Sequence, residues 1–207
     1  MVMAFQPDGF PYNDPETGRT VIDLAEAAPE TLMHLLLQKV IPDFDWNADD
    51  VEDTPKRFVK MLRELTDASE RWKFTVFKSD AHEMIIVRHI RFVSLCSHHL
   101  APFTGVCHVG YIPDGVIAGL SKIARQVQTI ARTPSVQEEL TTAIADTFDE
   151  ILQPSGVIVI MKAHHSCMSL RGALAHEAET ITSAVRGVFY TNERGTKEEF
   201  MRLIGLP

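Results

Sequence analysis

Residues 83–112 read EMIIVRHIRFVSLCSHHLAPFTGVCHVGYI, and the fold turns on them. Two runs rich in Val, Ile and Phe, Glu83–Val93 and Phe103–Ile112, alternate over much of their length as half-buried strands do. The second closes on a Pro113-Asp114-Gly115 turn signal. Cys107 alternates in phase with Phe103, Val109 and Tyr111, which places it in the packed face of a sheet.

Upstream, Lys73–Phe77 reads as a further strand, and the pattern before it is helical. Pro29 suits the first turn of a helix running to about Ile41, with Leu32, Leu35, Leu36 and Val40 on one face. Thr54-Pro55 opens a second helix whose apolar stripe is Phe58, Met61, Leu62 and Leu65. Residues 1–28 read as an extended arm without a functional assignment.

Downstream, Ser121 is expected to cap a helix reaching Arg132, with Ile123, Ala124, Val127 and Ile130 aligned. A second helix covers Val136–Leu152, with Leu140, Ile144, Phe148 and Ile151 as its stripe. Strands follow at Gly156–Ala163 and Thr182–Tyr190, then a short helix over Lys197–Ile204. Helices, strands, a helix pair and strands again give an α+β arrangement. The expected organisation is an arm (1–28), a helical segment (29–70) and an α+β domain (71–207).

The 207 residues carry a net charge of −8, and 45% are hydrophobic. That balance excludes a disordered chain and argues against a dedicated nucleic-acid binder, which needs a broad basic face. No apolar run is long enough to span a membrane. The first twenty residues lack the pattern of a signal peptide, so a cytoplasmic location and reduced thiols are expected for Cys96, Cys107 and Cys167.

Two clusters carry the chemistry. Cys96-Ser97-His98-His99 follows the long strand, and its Cys-x-x-His spacing lets one loop bring a thiolate and an imidazole to a zinc ion. The same residues are also compatible with an ordinary surface loop. His164-His165-Ser166-Cys167 ends the strand Gly156–Ala163, and Cys167 is a candidate third ligand. Three protein ligands leave one position for water, the catalytic arrangement rather than the structural one. Ser121, Lys122 and Arg125 open a helix and Arg171 lies four residues past Cys167; together they read either as a phosphate cradle or as solvated charge. Gln137 and Glu138 read either as favourable charge at a helix start or as acceptors for a guanine edge. Read unaided, these residues reach a zinc-dependent enzyme acting on a phosphorylated substrate.

The pieces CSHHLAPFTG, GYIP, GLSKIAR, VQEELT and HSCMSLRG, with TPKR at residues 54–57, resemble the GTP cyclohydrolase I family over roughly residues 30–204. The resemblance implies the tunnelling fold, an antiparallel sheet with helices on one face, closed into a barrel by several subunits. It implies a homodecamer with active sites at subunit interfaces. It further implies hydrolysis of GTP at C8, release of formate and rearrangement of the ribose to give 7,8-dihydroneopterin triphosphate, the first step of pterin and folate biosynthesis.

Carried over residue by residue, Cys96, His99 and Cys167 hold one zinc per subunit, whose water is made acidic and attacks C8. His98 is the general acid near N7, and His165 the second proton-transfer group. Gln137 and Glu138 hold the guanine edge. Ser121, Lys122, Arg125 and Arg171 cradle ribose and triphosphate, with Arg57 in addition. One position departs from the pattern: the family has Cys-Glu-His-His, and Ser97 stands where that Glu is expected. His164 creates a His-His pair, and strand alternation turns it away from His165. Two alternatives remain: a non-catalytic paralogue with a structural zinc, and a same-fold enzyme with another nucleotide or reaction end point.

Overall fold

The structure, a computed structural model, describes residues 12–13, 20–21, 27–69, 72–192 and 195–205. Two compact units divide the chain, residues 1–64 and 65–207.

In the first unit, Tyr12–Asn13 (β1) and Thr20–Val21 (β2) pair antiparallel; the rest of the expected arm up to residue 26 lies outside the described residues. Helix α1 (Pro29–Val40) starts at the proline, where a missing N–H is harmless, and α2 spans Thr54–Thr66. The expected apolar stripes are present but open: Leu36 is 53% and Val40 68% exposed, and Phe58 and Met61 are also exposed. What α2 buries instead is Pro55 and Val59. The stripe read from periodicity in α2 is therefore not the face that is buried, and α1 has no buried residue among those described.

The second unit is built on a four-stranded antiparallel sheet in the order β4-β5-β7-β8. A short strand β3 (Val76–Lys78) precedes β4 (Ile85–Leu95) and β5 (Pro102–Ile112). β3 pairs with β6 (Val116–Ala118), an element absent from the sequence reading. The β4–β5 register slips between Val87 and Ile90, and His89 takes φ +60° at that bulge. Helix α3 spans Leu120–Ala131 and α4 Gln137–Leu152. Ser121 is not the cap that was expected: Gly119 holds that position, with no side-chain hydrogen bond. Strand β7 (Gly156–His165) leads into a single turn, α5 (Ser166–Ser169).

The last strand is shorter than its expected range of 182–190. β8 ends at Gly187 (Thr180–Gly187), and Val188–Thr191 forms a turn of helix, α6. Gly187 has φ +56°, and a Cβ there would collide with the Ser155 carbonyl, so the chain leaves the sheet at a residue only glycine fits. Helix α7 (Thr196–Ile204) follows.

Alternation along the strands sorts the core into two faces. Cys107, Val109, Tyr111, Val157, Val159 and Met161 face Ile123, Val127, Leu140, Ile144 and Phe148 of α3 and α4. These side chains are essentially fully buried, and each apolar one contributes about 1.5–3 kcal/mol of transfer free energy. Burial raises the Cys107 thiol far above its ordinary pKa, so it is a packed, unreactive residue as the alternation predicts. On the other face, Ile158 and Ile160 pack with Phe189, Phe200 and Ile204, so α6 and α7 add a smaller second cluster. The sheet with α3 and α4 laid on one face is the arrangement the family resemblance implies.

Candidate metal centre and active site

Antiparallel pairing brings the two Cys/His clusters together. Leu95 at the end of β4 pairs with Pro102, and Phe103 of β5 pairs with His165 near the end of β7. Cys96 and Cys167 therefore leave the sheet at the same end. Ser166 Oγ donates to the Pro102 carbonyl at 2.5 Å, tying one loop to the other.

The first loop is a tight turn. The amides of His99 and Leu100 both donate to the Cys96 carbonyl, and the Cys96 amide donates to Ala101 O. Leu100 closes the turn at φ +50°, a conformation strained for a residue with a Cβ. The loop is also braced from α4's side, where Ser97 N donates to Ser135 O and Ser135 N to Leu95 O. Ser97 itself is exposed.

Cys96 Sγ lies 3.9 Å from His99 Nδ1 and 3.8 Å from His98 Nδ1. The ligand atoms of Cys96, His99 and Cys167 all fall within 4.8 Å of one another. Bonds of about 2.3 Å to sulfur and 2.0 Å to nitrogen in a tetrahedron place ligand atoms about 3.5–3.8 Å apart, so this set closes on zinc with small adjustments. Donor chemistry agrees. Burial, and then the neighbouring Cys96 sulfur, raise the Cys167 thiol pKa, while Arg171 opposes them. Two crowded thiols resist ionising together, and a divalent cation between them reverses that preference. The residues fit the metal.

His165 is held by two contacts. Its ring stacks on Phe103 with centroids 4.5 Å apart and planes 5° from parallel. Its Nε2 lies 2.8 Å from Gln137 Oε1. Burial lowers its pKa, and the carboxylate of Glu138 pulls the other way. His164 points elsewhere, its Nδ1 at 3.2 Å from Ala178 O, as alternation requires. Gln137 is 1% exposed, and its amide nitrogen directs its two protons at Thr180 O and Thr182 Oγ1, both at 3.0 Å, with Met161 O at 3.3 Å sharing one of them. That placement differs from the guanine-edge expectation: its side chain is spent inside the protein. Glu138 is exposed and free to meet a ligand.

Arg171 lies near enough to Cys167 to act on its thiol electrostatically, whereas the candidates on α3 gather around Trp72. Lys122 Nζ lies 5.6 Å from the centroid of the Trp72 ring and Arg125 Cζ 5.9 Å, so one aromatic face gathers both cations of α3. Trp72 is itself pinned by a hydrogen bond to Thr129 Oγ1. Ser121 and Arg125 also line a surface cavity of about 360 Å³ with Gln128, Thr129 and Arg132. Among the described residues, no hydrogen bond, ion pair or ring contact joins Ser121, Lys122 or Arg125 to the Cys96–Cys167 cluster. Arg57 belongs to the first unit, where it pairs with Asp53 and donates to Asp50 O.

Sequence reading missed Phe103, Thr182 and Trp72. Phe103 could have been found from register, since it lies opposite His165 once β5 and β7 are paired; nothing in the sequence marks the other two.

The family model for GTP cyclohydrolase I matches residues 30–205. GTP cyclohydrolase 1 of Lysinibacillus sphaericus (strain C3-41) is 43% identical over 175 residues, 82% of this chain and 91% of the relative. The proteins of the same name from Geobacillus sp. (strain WCH70) and Halalkalibacterium halodurans are each 46% identical, covering 72% and 74% of this chain and 82% and 84% of theirs. With a Cys-His-Cys group at one end of its sheet and a family match over residues 30–205, this chain belongs to the GTP cyclohydrolase I family of enzymes.

Proposed function

We propose that this protein hydrolyses GTP at C8 of the purine, releases formate and rearranges the ribose to give 7,8-dihydroneopterin triphosphate. The observation that carries the reading is the convergence of Cys96, His99 and Cys167 beside two further histidines, His98 and His165. A structural zinc site needs neither of those.

Cys96, His99 and Cys167 hold zinc, which when bound supplies Lewis acidity and makes water in the site acidic near neutral pH. His98, with its Nδ1 turned to the Cys96 sulfur, presents the other ring nitrogen as the acid for purine N7. His165 moves the second proton, for ring opening and the sugar rearrangement. Burial lowers its pKa and so favours the neutral ring, the form able to accept a proton. Glu138 accepts from the guanine N–H donors, and adenine, lacking that donor pair, leaves the carboxylate unpaired.

Lys122, Arg125, Ser121 and Arg171 bind ribose and triphosphate, with Arg57 in addition. Among the described residues no contact joins Lys122 or Arg125 to the metal ligands, which is compatible with a homo-oligomer, a decamer as in the family, whose sites form between subunits. Open edges at β4 and β8 favour such assembly. No described helix is long and apolar enough to cross a membrane, and we place the protein in the cytoplasm, on the route to pterins and folate.

Zinc-loaded protein incubated with GTP should release formate and pterin in equal amounts. Formate without pterin would instead favour an altered end point, the reading that Ser97 supports. Neither product, with dGTP also inert, would contradict the proposal.

A further inference from the structure

Gln137 is named by the sequence as a reader of the purine edge, and the structure gives its side chain another partner. We propose that Gln137 is a positioning residue for His165: it holds the imidazole as the Nε2–H tautomer and so makes Nδ1 the atom that takes up and returns the proton. This rests on the proton-transfer role of His165 proposed above.

The inference follows from counting protons. Thr180 O and Met161 O are backbone carbonyls and can only accept, so the Gln137 side-chain atom facing them at 3.0 and 3.3 Å is the amide nitrogen. A flipped amide would set its oxygen against both carbonyls with no proton between them. The oxygen therefore faces His165 Nε2 at 2.8 Å, and an amide oxygen cannot donate. His165 Nε2 must carry the hydrogen, and in the neutral ring the lone pair lies on Nδ1.

A closed ring of hydrogen bonds keeps the amide in this orientation. Thr141 Oγ1 gives its one proton to the Gln137 carbonyl at 2.7 Å. Thr182 Oγ1, 2.6 Å from Thr141 Oγ1, must then be the donor in that pair, which leaves it to accept from Gln137 Nε2 at 3.0 Å. Every member has one consistent direction. Phe103 fixes the plane of the imidazole, and Gln137 fixes its rotation and its tautomer.

The test is steady-state kinetics of Gln137→Leu, a near-isosteric change that removes the acceptor, on the zinc-loaded assembled protein. Positioning predicts a fall in kcat on the order of 10- to 100-fold. KM for GTP, zinc per chain, and the preference for GTP over inosine triphosphate should stay unchanged. A raised KM with kcat intact, or a lost preference over inosine triphosphate, would make Gln137 a purine reader and overturn the proposal, as would unchanged kinetics. If Gln137→Leu fails to assemble, Thr182→Val opens the ring while leaving the amide in place. It should show the same split on a smaller scale, and an effect on KM alone or no effect would count against the proposal. His165→Ala measured alongside separates the two claims. Full turnover in His165→Ala removes the proton-transfer role, whereas lost turnover there with intact Gln137 variants removes only the lock.

Discussion

The two halves of the candidate site are held in different ways. Cys96, His99 and Cys167 sit at strand ends whose backbones are hydrogen-bonded to each other and to the segment before α4. Lys122 and Arg125 reach from the outer face of α3 and share only the face of Trp72. One half is complete within a chain, set by sheet register. The other is a pair of cations gathered around an aromatic ring. The difference teaches that chemistry needing ångström placement is carried by the sheet, while long-range attraction of a polyanion tolerates flexible side chains.

Removing a group from the first half should cost most. His98→Ala is expected to keep its zinc and lose turnover by about 100-fold or more, since proton transfer contributes that much. Unchanged turnover in that variant would break the distinction between ligand and acid. Glu138→Gln comes next: the carboxylate that pairs with guanine becomes an amide, and the preference for GTP over ATP should collapse. A preference left intact would remove Glu138 from purine recognition.

In the second half, Lys122→Ala should raise KM for GTP about tenfold, worth about 1.4 kcal/mol, with kcat and zinc content little changed. Trp72→Leu should give a smaller rise in the same direction, because it loosens both cations without removing either. A kcat effect in these variants would mean that the α3 group touches the reacting atoms after all.

A further effect, on stability and not on turnover, lies outside both halves. Burial, with the nearby charges of His89, Lys162 and Arg88, lowers the pKa of His108 to about 4, and its Nδ1 has no hydrogen-bond partner among the described residues. The unfolded chain binds that proton near pH 6.5 and the folded chain does not, so this contribution is full above pH 6.5 and fades as pH falls toward 4. His108→Leu should lose less stability than the parent over that interval, by about 1–3 kcal/mol at its lower end. Parallel thermal melts across the interval would refute it.

Much of this was legible in the sequence because short-range rules govern it. Alternation placed Cys107 in the core and turned His164 away, and Pro29 marked the start of α1. The two ligand clusters were visible as Cys-x-x-His and His-x-Cys. What stayed hidden depends on contacts between distant segments. The meeting of Cys96 with Cys167 needs the β4-β5-β7 order, which no local pattern fixes. The end of β8 depends on the Ser155 carbonyl pressing against Gly187. The stripes of α1 and α2 were read from spacing alone, and spacing did not show that α2 would bury Pro55 and Val59 and leave Phe58 and Met61 exposed. Gln137 was the most instructive case, because its position at the start of α4 suited a ligand contact and only the placement of β7 and β8 shows its amide already engaged.

The most direct measurement is zinc bound per chain in Cys167→Ala, determined beside the parent and His98→Ala. The account predicts one zinc per chain in the parent and in His98→Ala, and little or none in Cys167→Ala. Full zinc in Cys167→Ala would contradict the Cys96–His99–Cys167 centre on which the reading depends.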